Sequence, residues 1–240
     1  MKIHQEVLKA EKQIRKFIRK TPIEFSPYLS KLCNCNVYLK LESEQLTGSF
    51  KIRGAFNKLL SCKSELNNGF ITASTGNHGK AVAYVSKMLN LKGTVYVPKK
   101  VSKTKLEAIK FYGINIKKYD GTSGETEIHA RKVAEKQEIP FISPYNDIDI
   151  VAGQGTVGYE IWEQLQDINA VFVCIGGGGL ISGIAGYLKH KNKSLKVLGC
   201  EPRNSCAMSV SIKAGKVIEV EHKPTLSDGS AGGIEPGSIT

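Results

Sequence analysis

Strand-like and helix-like segments alternate along almost the whole chain after residue 36. Apolar residues at every second position predict a strand at 37–41, and a longer pattern predicts a helix at 50–62. The remaining predicted strands are 69–73, 93–97, 114–119, 140–143, 170–175 and 196–201, and the remaining predicted helices are 80–89, 103–111, 125–136, 156–166 and 179–190. Such alternation predicts parallel sheets covered by helices on both faces, with right-handed crossovers. Ligands of such sheets bind beyond the carboxyl ends of the strands.

The composition is that of an ordinary globular protein. With 240 residues, 41% of them hydrophobic, the chain can bury a sizeable core and form one large domain or two small ones. The formal net charge of +12 suggests nucleic acid as a partner, but the basic residues recur at helical intervals and match no zinc-finger or RNA-binding motif. Solvated helix faces account for them better, so we expect no nucleic-acid partner.

The N-terminal region predicts an amphipathic helix that ends before Thr21-Pro22. No apolar stretch long enough for a signal peptide or a membrane span follows it. The six cysteines lack the density of a disulfide framework, and no histidine lies near Cys33 and Cys35 to complete a zinc site. We therefore expect a cytoplasmic protein with free thiols and no membrane partner.

Four consecutive glycines follow the apolar strand predicted at 170–175, namely Gly176, Gly177, Gly178 and Gly179. Residues without a Cβ leave main-chain N–H groups free to converge at a helix N-terminus, where a phosphate can bind. The alternative is a tight turn without a ligand. No Gly-Lys-Ser or Gly-Lys-Thr follows, so the run is not a P-loop, and Glu201 is poorly placed for a dinucleotide fingerprint.

Lys51 lies where a glycine turn enters the helix predicted at 50–62, two residues before Arg53. The helix dipole and the charge of Arg53 both disfavour an ammonium group, which predicts a lowered pKa and a nucleophilic amine. Alone, such a lysine is better explained as a solvated surface residue. Together with a phosphate site elsewhere in the chain, it predicts a Schiff base with pyridoxal 5'-phosphate, whose ring withdraws electrons.

A second polar loop, Ser74-Thr75-Gly76-Asn77-His78-Gly79, follows the strand predicted at 69–73. The amide of Asn77 can contact the ring oxygen of the cofactor. The main-chain and side-chain groups of Ser74, Thr75 and His78 can face a substrate carboxylate. Taken alone, His78 is better explained as a packed residue at the start of a helix.

Four stretches together resemble the fold type II pyridoxal-phosphate enzymes of the serine/threonine dehydratase and serine racemase family. They are Ser49-Phe50-Lys51-Ile52-Arg53-Gly54-Ala55, Ser74–Gly79, Ala152-Gly153-Gln154-Gly155-Thr156 and the glycine tetrad. The resemblance covers nearly the whole chain and implies two doubly wound α/β domains with mostly parallel sheets, similar to the tryptophan synthase β-subunit. It implies a large cofactor-binding domain at 1–68 plus 147–240, with its C-terminal part missing, a small mobile domain at 69–146, and a homodimer.

The resemblance also implies roles for individual residues. Lys51 carries the cofactor with Phe50 beside it, Asn77 binds its ring, and Gly176–Gly179 with Leu180 hold its phosphate. Thr75 matches a serine that faces this lysine in the racemases; threonine is bulkier and stiffer at χ1, which favours elimination. An arginine that binds the substrate carboxylate in the racemases is replaced near Thr126. Glu201 matches a metal ligand of metal-dependent relatives, but its acidic partner is replaced by Ala207, so we expect no metal site.

These residues predict a dehydratase or ammonia-lyase that converts a small β-hydroxy amino acid to a 2-keto acid and ammonia. Serine-like, threonine-like and hydroxyaspartate-like substrates all fit the pattern. Two alternatives remain open. One is an amino-acid racemase on the same scaffold, and the other is a truncated, catalytically silent family member, since chains of the family normally continue past the position that matches Thr240.

Overall fold

The computed structural model describes residues 2–240, which form nine α-helices and seven strands in largely alternating order. The helices are α1 (Ile3–Ile14), α2 (Pro27–Cys33), α3 (Lys51–Ser61), α4 (Asn77–Leu89), α5 (Lys103–Lys110), α6 (Ser123–Lys136), α7 (Ile148–Gln164), α8 (Gly179–Lys191) and α9 (Ala207–Ala214). The strands are β1 (Ile23–Phe25), β2 (Tyr38–Lys40), β3 (Phe70–Ala73), β4 (Gly93–Pro98), β5 (Asn115–Tyr119), β6 (Ala170–Cys174) and β7 (Lys196–Cys200). This is the α/β architecture predicted from the sequence.

The strands form three sheets, two of them parallel. Strands β3, β4 and β5 lie side by side in that order, and β6 pairs with β7. Every residue of β3 is buried, because a strand in a parallel sheet is covered on both faces. The short strands β1 and β2 form an antiparallel pair. The carboxyl ends of β3 and β6 lead directly into the Ser74–Gly79 loop and the glycine tetrad, which places both loops where α/β sheets bind ligands.

Helix α3 is fixed in position by α7. A Cβ on Gly153 of α7 would lie only 2.6 Å from the Cα of Gly54, so the two helix backbones are in direct contact there. Ile52 and Phe56 of α3 and Ile150 of α7 belong to the same buried apolar cluster. Since each such side chain stabilises the fold by about 1.5–3 kcal/mol when fully buried, the first turn of α3 has little freedom to move.

Helix α7 begins earlier than the sequence predicts. The prediction was a helix at 156–166, whereas α7 starts at Ile148 and runs through the Ala152–Thr156 motif. The carboxylate of Asp147 caps it by accepting hydrogen bonds from the N–H groups of Asp149 and Ile150. The two glycines of the motif, Gly153 and Gly155, are buried inside the helix, where they permit close packing.

The predicted strand at 140–143 is wrong. Phe141 makes a single parallel bridge to Ile71 at the edge of β3, with no ladder on either side. Pro140 can accept a hydrogen bond from Ile71 but has no N–H to donate, which limits pairing at this edge. The chain then leaves the sheet at Ser143, whose hydroxyl accepts hydrogen bonds from the N–H groups of Tyr145 and Asn146. We call Ser143, Pro144, Tyr145 and Asn146 the 143–146 segment.

Among residues 2–240, none of the helices combines the length and the apolar character needed to span a bilayer.

Candidate active site

Lys51 is the first residue of α3, and although its side chain as a whole is half-buried, its amine is surrounded by protein groups. Its Nζ donates a 2.6 Å hydrogen bond to the carbonyl oxygen of Pro144 in the 143–146 segment. Burial lowers the pKa of Lys51 to about 8, and the negative charge of Glu127 opposes this only in part. With that pKa roughly a tenth of the amine is neutral at pH 7, far more than in a solvated lysine. A neutral amine is the form that the predicted role of Lys51 as a nucleophile requires.

One of the two causes predicted for this pKa, the charge of Arg53, is wrong. Arg53 is fully buried and points away from Lys51, toward the carboxylates of Glu42 and Glu160. Its guanidinium donates to Glu160 at 2.8 Å and to Glu42 at 2.7 Å, and these bonds neutralise its charge locally. Desolvation of Lys51, and not the proximity of Arg53, lowers the pKa of the lysine.

Glu160 lies at the centre of a buried ion network that the sequence did not reveal. Its carboxylate accepts hydrogen bonds from Arg53, from Lys40 at 2.6 Å and from Arg15 at 2.5 Å. Burial alone would raise the pKa of Glu160, but the bonds from Arg53 and Lys40 outweigh it and lower the pKa to about 2. The network ties α1, β2 and α7 to α3, the helix that begins with Lys51.

The glycine tetrad forms the turn between β6 and α8. Gly178 has φ +88°, a left-handed conformation that favours glycine, and a Cβ on Gly177 would overlap the ring of Tyr145. Within residues 2–240, the N–H groups of 176–181 donate no hydrogen bond to the protein. Free N–H groups at the N-terminus of a helix attract anions, so the tetrad remains the predicted phosphate site.

The Ser74–Gly79 loop connects β3 to the N-terminus of α4. The hydroxyl of Ser74 accepts a hydrogen bond from the N–H of Gly76, and Asn77 is the exposed first residue of α4. Thr75 lies on the wall of a cleft of about 630 Å³ at the carboxyl ends of β3, β4 and β5. The residues that line this cleft include Thr75 but neither Lys51 nor the glycine tetrad.

The imidazole of His78 does not face the loop. It is buried, and its Nε2 lies 3.1 Å from the hydroxyl of Thr72 and 3.3 Å from the carbonyl oxygen of Ile142. Burial and, to a smaller extent, the charge of Lys51 lower the pKa of His78 to about 3, so the ring is neutral. The packed-residue interpretation therefore holds for the side chain of His78.

Several buried polar atoms close to Lys51 have no hydrogen-bond partner within residues 2–240. They include the hydroxyls of Thr47 and Ser49, both just before Lys51 in the chain, and Nδ1 of His78. Leaving a buried polar group unpaired costs about 1–3 kcal/mol, so such atoms rarely cluster without a ligand or water to satisfy them. The hydroxyls of Thr47 and Ser49 are therefore polar atoms that a ligand near Lys51 could satisfy.

The structure also brings together a group of charged side chains near Lys51 that the sequence did not predict. Arg131 of α6 pairs with Glu127, one turn before it, and with Glu235 of the C-terminal region, both at 2.9 Å. The guanidinium also lies 4.2 Å from the ring centre of Phe141. We call Glu127, Arg131 and Glu235 the acidic triad, because two carboxylates share one guanidinium. Only the i, i+4 spacing of Glu127 and Arg131 could have pointed to it.

The 143–146 segment links the parts of the site. Pro144 accepts the bond from Lys51, the ring of Tyr145 packs on Gly177, and the Tyr145 hydroxyl accepts a hydrogen bond from the N–H of Glu235 at 2.9 Å. Asn146 binds the N–H of Ile239. Residues far apart in sequence therefore meet around one short stretch of chain.

Two further predicted positions have structural roles. The hydroxyl of Thr126 donates to the carbonyl of Thr122 within the first turn of α6. Both carboxylate oxygens of Glu201 accept 2.8 Å hydrogen bonds, from the N–H groups of Met208 and Ser209, and so cap α9. Ala207 is the first residue of that helix.

Comparison with known proteins decides the family. Residues 14–240 match the model of the family described as pyridoxal-phosphate dependent enzyme. The chain belongs to this family. The cofactor of pyridoxal-phosphate-dependent enzymes is the one that Lys51 and the glycine tetrad predict.

Relatives of this pyridoxal-phosphate-dependent chain include dehydratases and racemases. It is 40% identical over 232 residues to a biosynthetic L-threonine dehydratase of Halalkalibacterium halodurans, matching 95% of this chain and 56% of the relative. It is 35% identical to an L-threonine ammonia-lyase of Thermotoga maritima, matching 98% of this chain and 59% of that protein. The structure of maize serine racemase superposes with a TM-score of 0.91 at 31% identity, covering 97% of this chain and 71% of the racemase. The chain thus spans less than two thirds of the length of these two curated relatives.

The residues present fit pyridoxal phosphate. A buried amine with a pKa near 8 suits a carbonyl carbon, and a turn whose N–H groups are free suits a phosphate. The unpartnered hydroxyls of Thr47 and Ser49 offer polar contacts beside the lysine.

Proposed function

We propose that the chain binds pyridoxal 5'-phosphate through Lys51 and that the protein is a dehydratase or ammonia-lyase acting on a small β-hydroxy amino acid. The observation that supports this most directly is the enclosed amine of Lys51, whose pKa is about 8. Kinship with a threonine dehydratase and a threonine ammonia-lyase supports the same reaction class.

Several residues would hold the cofactor. The N–H groups of Gly176–Gly179 and Leu180 would bind its phosphate, and Asn77 would contact its ring. Phe50 lies next to the lysine, with its ring centre 5.4 Å from Nζ. When bound, pyridoxal phosphate supplies an electron-withdrawing ring that stabilises negative charge at the substrate Cα.

The residues of the chain would position the substrate and move its proton. The N-terminus of α4, with Ser74 and Thr75 before it, would bind the substrate carboxylate through free N–H groups. The neutral amine of Lys51 would take the proton from Cα, since its pKa lies close to the working pH. Loss of the β-hydroxyl, followed by hydrolysis, gives a 2-keto acid and ammonia.

Movement of residues 69–146 would complete the site. We propose that these residues form a small mobile domain and that 1–68 with 147–240 form the large one. Thr75 lines a cleft whose walls do not include Lys51, and closure of the small domain would bring this cleft toward the lysine and exclude water. Two ion pairs already connect the proposed domains, Lys105 with Asp228 and Arg131 with Glu235.

Amino-acid racemisation is the second candidate, and the likeness to maize serine racemase favours it. The two activities separate in deuterium oxide. Exchange at Cα with inversion and without 2-keto acid would support a racemase, whereas ammonia and 2-keto acid in equal amounts would support a dehydratase. A cytoplasmic location and a homodimer remain predictions.

The direct test is reduction of the cofactor-loaded protein with borohydride, followed by peptide mass spectrometry. We expect the phosphopyridoxyl adduct on Lys51, and its loss in Lys51→Ala. Lys12→Ala is the matched control, because Lys12 is exposed on α1 and has no ion pair within residues 2–240. An adduct that survives in Lys51→Ala would overturn the assignment. L-Serine and L-threonine, supplied to the unreduced protein, then test the reaction class.

A further inference from the structure

Resting on the proposed function, we propose that Glu127 is a specificity-determining residue that favours substrates with an uncharged β-substituent and rejects those with a side-chain carboxylate. Serine-like and threonine-like substrates would be accepted, and hydroxyaspartate-like ones would not. The proposal narrows the three substrate types that the sequence left open.

The acidic triad lies beside the proposed reaction centre. Arg131 lies 3.5 Å from the hydroxyl of Ser143, the residue before Pro144, whose carbonyl binds the amine of Lys51. Glu235 is held at the same 143–146 segment through its N–H bond to Tyr145. Glu127 is close enough to Lys51 for each charge to influence the pKa of the other. A substrate amine bound at Lys51 would therefore place its side chain in the field of these groups.

The charges of the triad disfavour another anion. Two carboxylates share one guanidinium, so the group carries a net charge of −1 when all three are ionised. Nε and Nη2 of Arg131 already bind Glu127, and Nη2 also binds Glu235. A substrate carboxylate at this place would meet two like charges in a partly buried setting, where they are poorly screened.

A hydroxyl group meets no such penalty, because it can donate a hydrogen bond to a carboxylate. Discrimination of this kind rests on a repulsive element as much as on an attractive one. Removal of the Glu127 charge would free one side of Arg131 for a substrate carboxylate, so the preference should change in a defined direction.

Binding can be measured without turnover by using amino acids that lack a leaving group. We would titrate the cofactor-loaded protein with L-alanine and L-aspartate and follow the visible absorption band. The unmodified protein should bind L-alanine more tightly, and Glu127→Gln should reduce the ratio of the two dissociation constants by about tenfold, the size of one close charge interaction. Glu135→Gln is the matched control, since Glu135 is an exposed residue of the same helix.

Glu235→Gln provides a second test that leaves α6 unchanged, and it should shift the ratio in the same direction. An unchanged ratio in both folded variants, or tighter binding of L-aspartate by the unmodified protein, would overturn the proposal. If the ratio shifts but L-serine and L-threonine yield no 2-keto acid, the specificity assignment stands and the proposed reaction fails. If L-serine is converted but the ratio of the two dissociation constants does not change, the proposed reaction stands and the specificity assignment fails.

Discussion

The amine of Lys51 and the carbonyl oxygen of Pro144 are joined by a 2.6 Å hydrogen bond across 93 positions of the chain. Pro144 thereby holds the lysine in an enclosed position where desolvation lowers its pKa to about 8. A lysine amine becomes nucleophilic as it loses its proton, so this contact bears directly on when the site is reactive.

The rate at which Lys51 of cofactor-free protein reacts with pyridoxal phosphate should rise with pH and level off above pH 8. The neutral fraction of the amine grows from roughly a tenth at pH 7 toward one, which predicts about a tenfold increase in rate. Stopped-flow absorbance measures it, with Lys51→Ala as the blank. A rate still rising steeply at pH 10 would show that the amine is not desolvated.

The buried charge of Glu160 predicts a stability that depends on acid pH. Its pKa is lowered from 4.5 to about 2, so its contribution is complete above pH 4.5 and is lost as the pH falls toward 2. Glu160→Gln leaves Arg53 buried with one fewer partner and should lower the free energy of unfolding at pH 7 by about 3–5 kcal/mol. Urea denaturation at pH 7 and at pH 3 measures both effects. Glu163→Gln, at an exposed position of the same helix, should change stability by less than about 0.5 kcal/mol.

Replacement of Gly177 by alanine should damage the cradle of the phosphate. The new methyl group would overlap the ring of Tyr145, and relieving the clash should cost about 1–3 kcal/mol of stability. Cofactor affinity should fall as well, because the N–H groups of the turn would move. Thermal denaturation and fluorescence titration test the two effects. Gly124→Ala is the control, since a Cβ there meets nothing within 4 Å; equal behaviour of both variants would contradict the prediction.

Thr75 should influence how the substrate is divided between elimination and inversion. Threonine is restricted at χ1 and bulkier than serine. Thr75→Ser is therefore expected to raise the yield of D-isomer relative to 2-keto acid several-fold, while Thr75→Val removes the hydroxyl and should give no D-isomer. Chiral chromatography of the products from L-serine measures the ratio. An identical ratio in the serine and valine variants would exclude proton transfer by this hydroxyl.

The parallel sheets and the two glycine-rich turns could be predicted because each depends on local sequence. Strand β3 is apolar except for Thr72, and only Ile175 separates the end of β6 from the tetrad. The strand predicted at 140–143 is absent because Phe141 makes only one bridge to the sheet. A short apolar run has the same sequence pattern whether its residues form one bridge or a full ladder. Helix α7 begins before the predicted 156–166 because Gly153 and Gly155 lower the helix propensity of this stretch, whereas close packing at both glycines stabilises it in the fold.

The site could be predicted only where one residue type carries the chemistry. Lys51 and the tetrad belong to this class. The pairing of Arg131 with Glu235 joins residues 104 positions apart, and the bond between Arg53 and Glu160 spans 107. Contacts at such separations depend on how the layers pack, and no spacing rule in the chain encodes them. The wrong role given to Arg53 has the same origin, since proximity along a helix does not fix the direction of a side chain.

The 143–146 segment limits which mutations this site can tolerate. Four consecutive residues contact Lys51, the glycine tetrad, the acidic triad and the C-terminal region. Inserting or deleting one residue in this segment would therefore displace all four parts of the site at once. A single side-chain replacement, such as one at Glu127, changes one part of the site and leaves the positions of the other parts unchanged. New substrate preferences on this framework should therefore arise by exchanging side chains on α6, with the length of the segment kept constant.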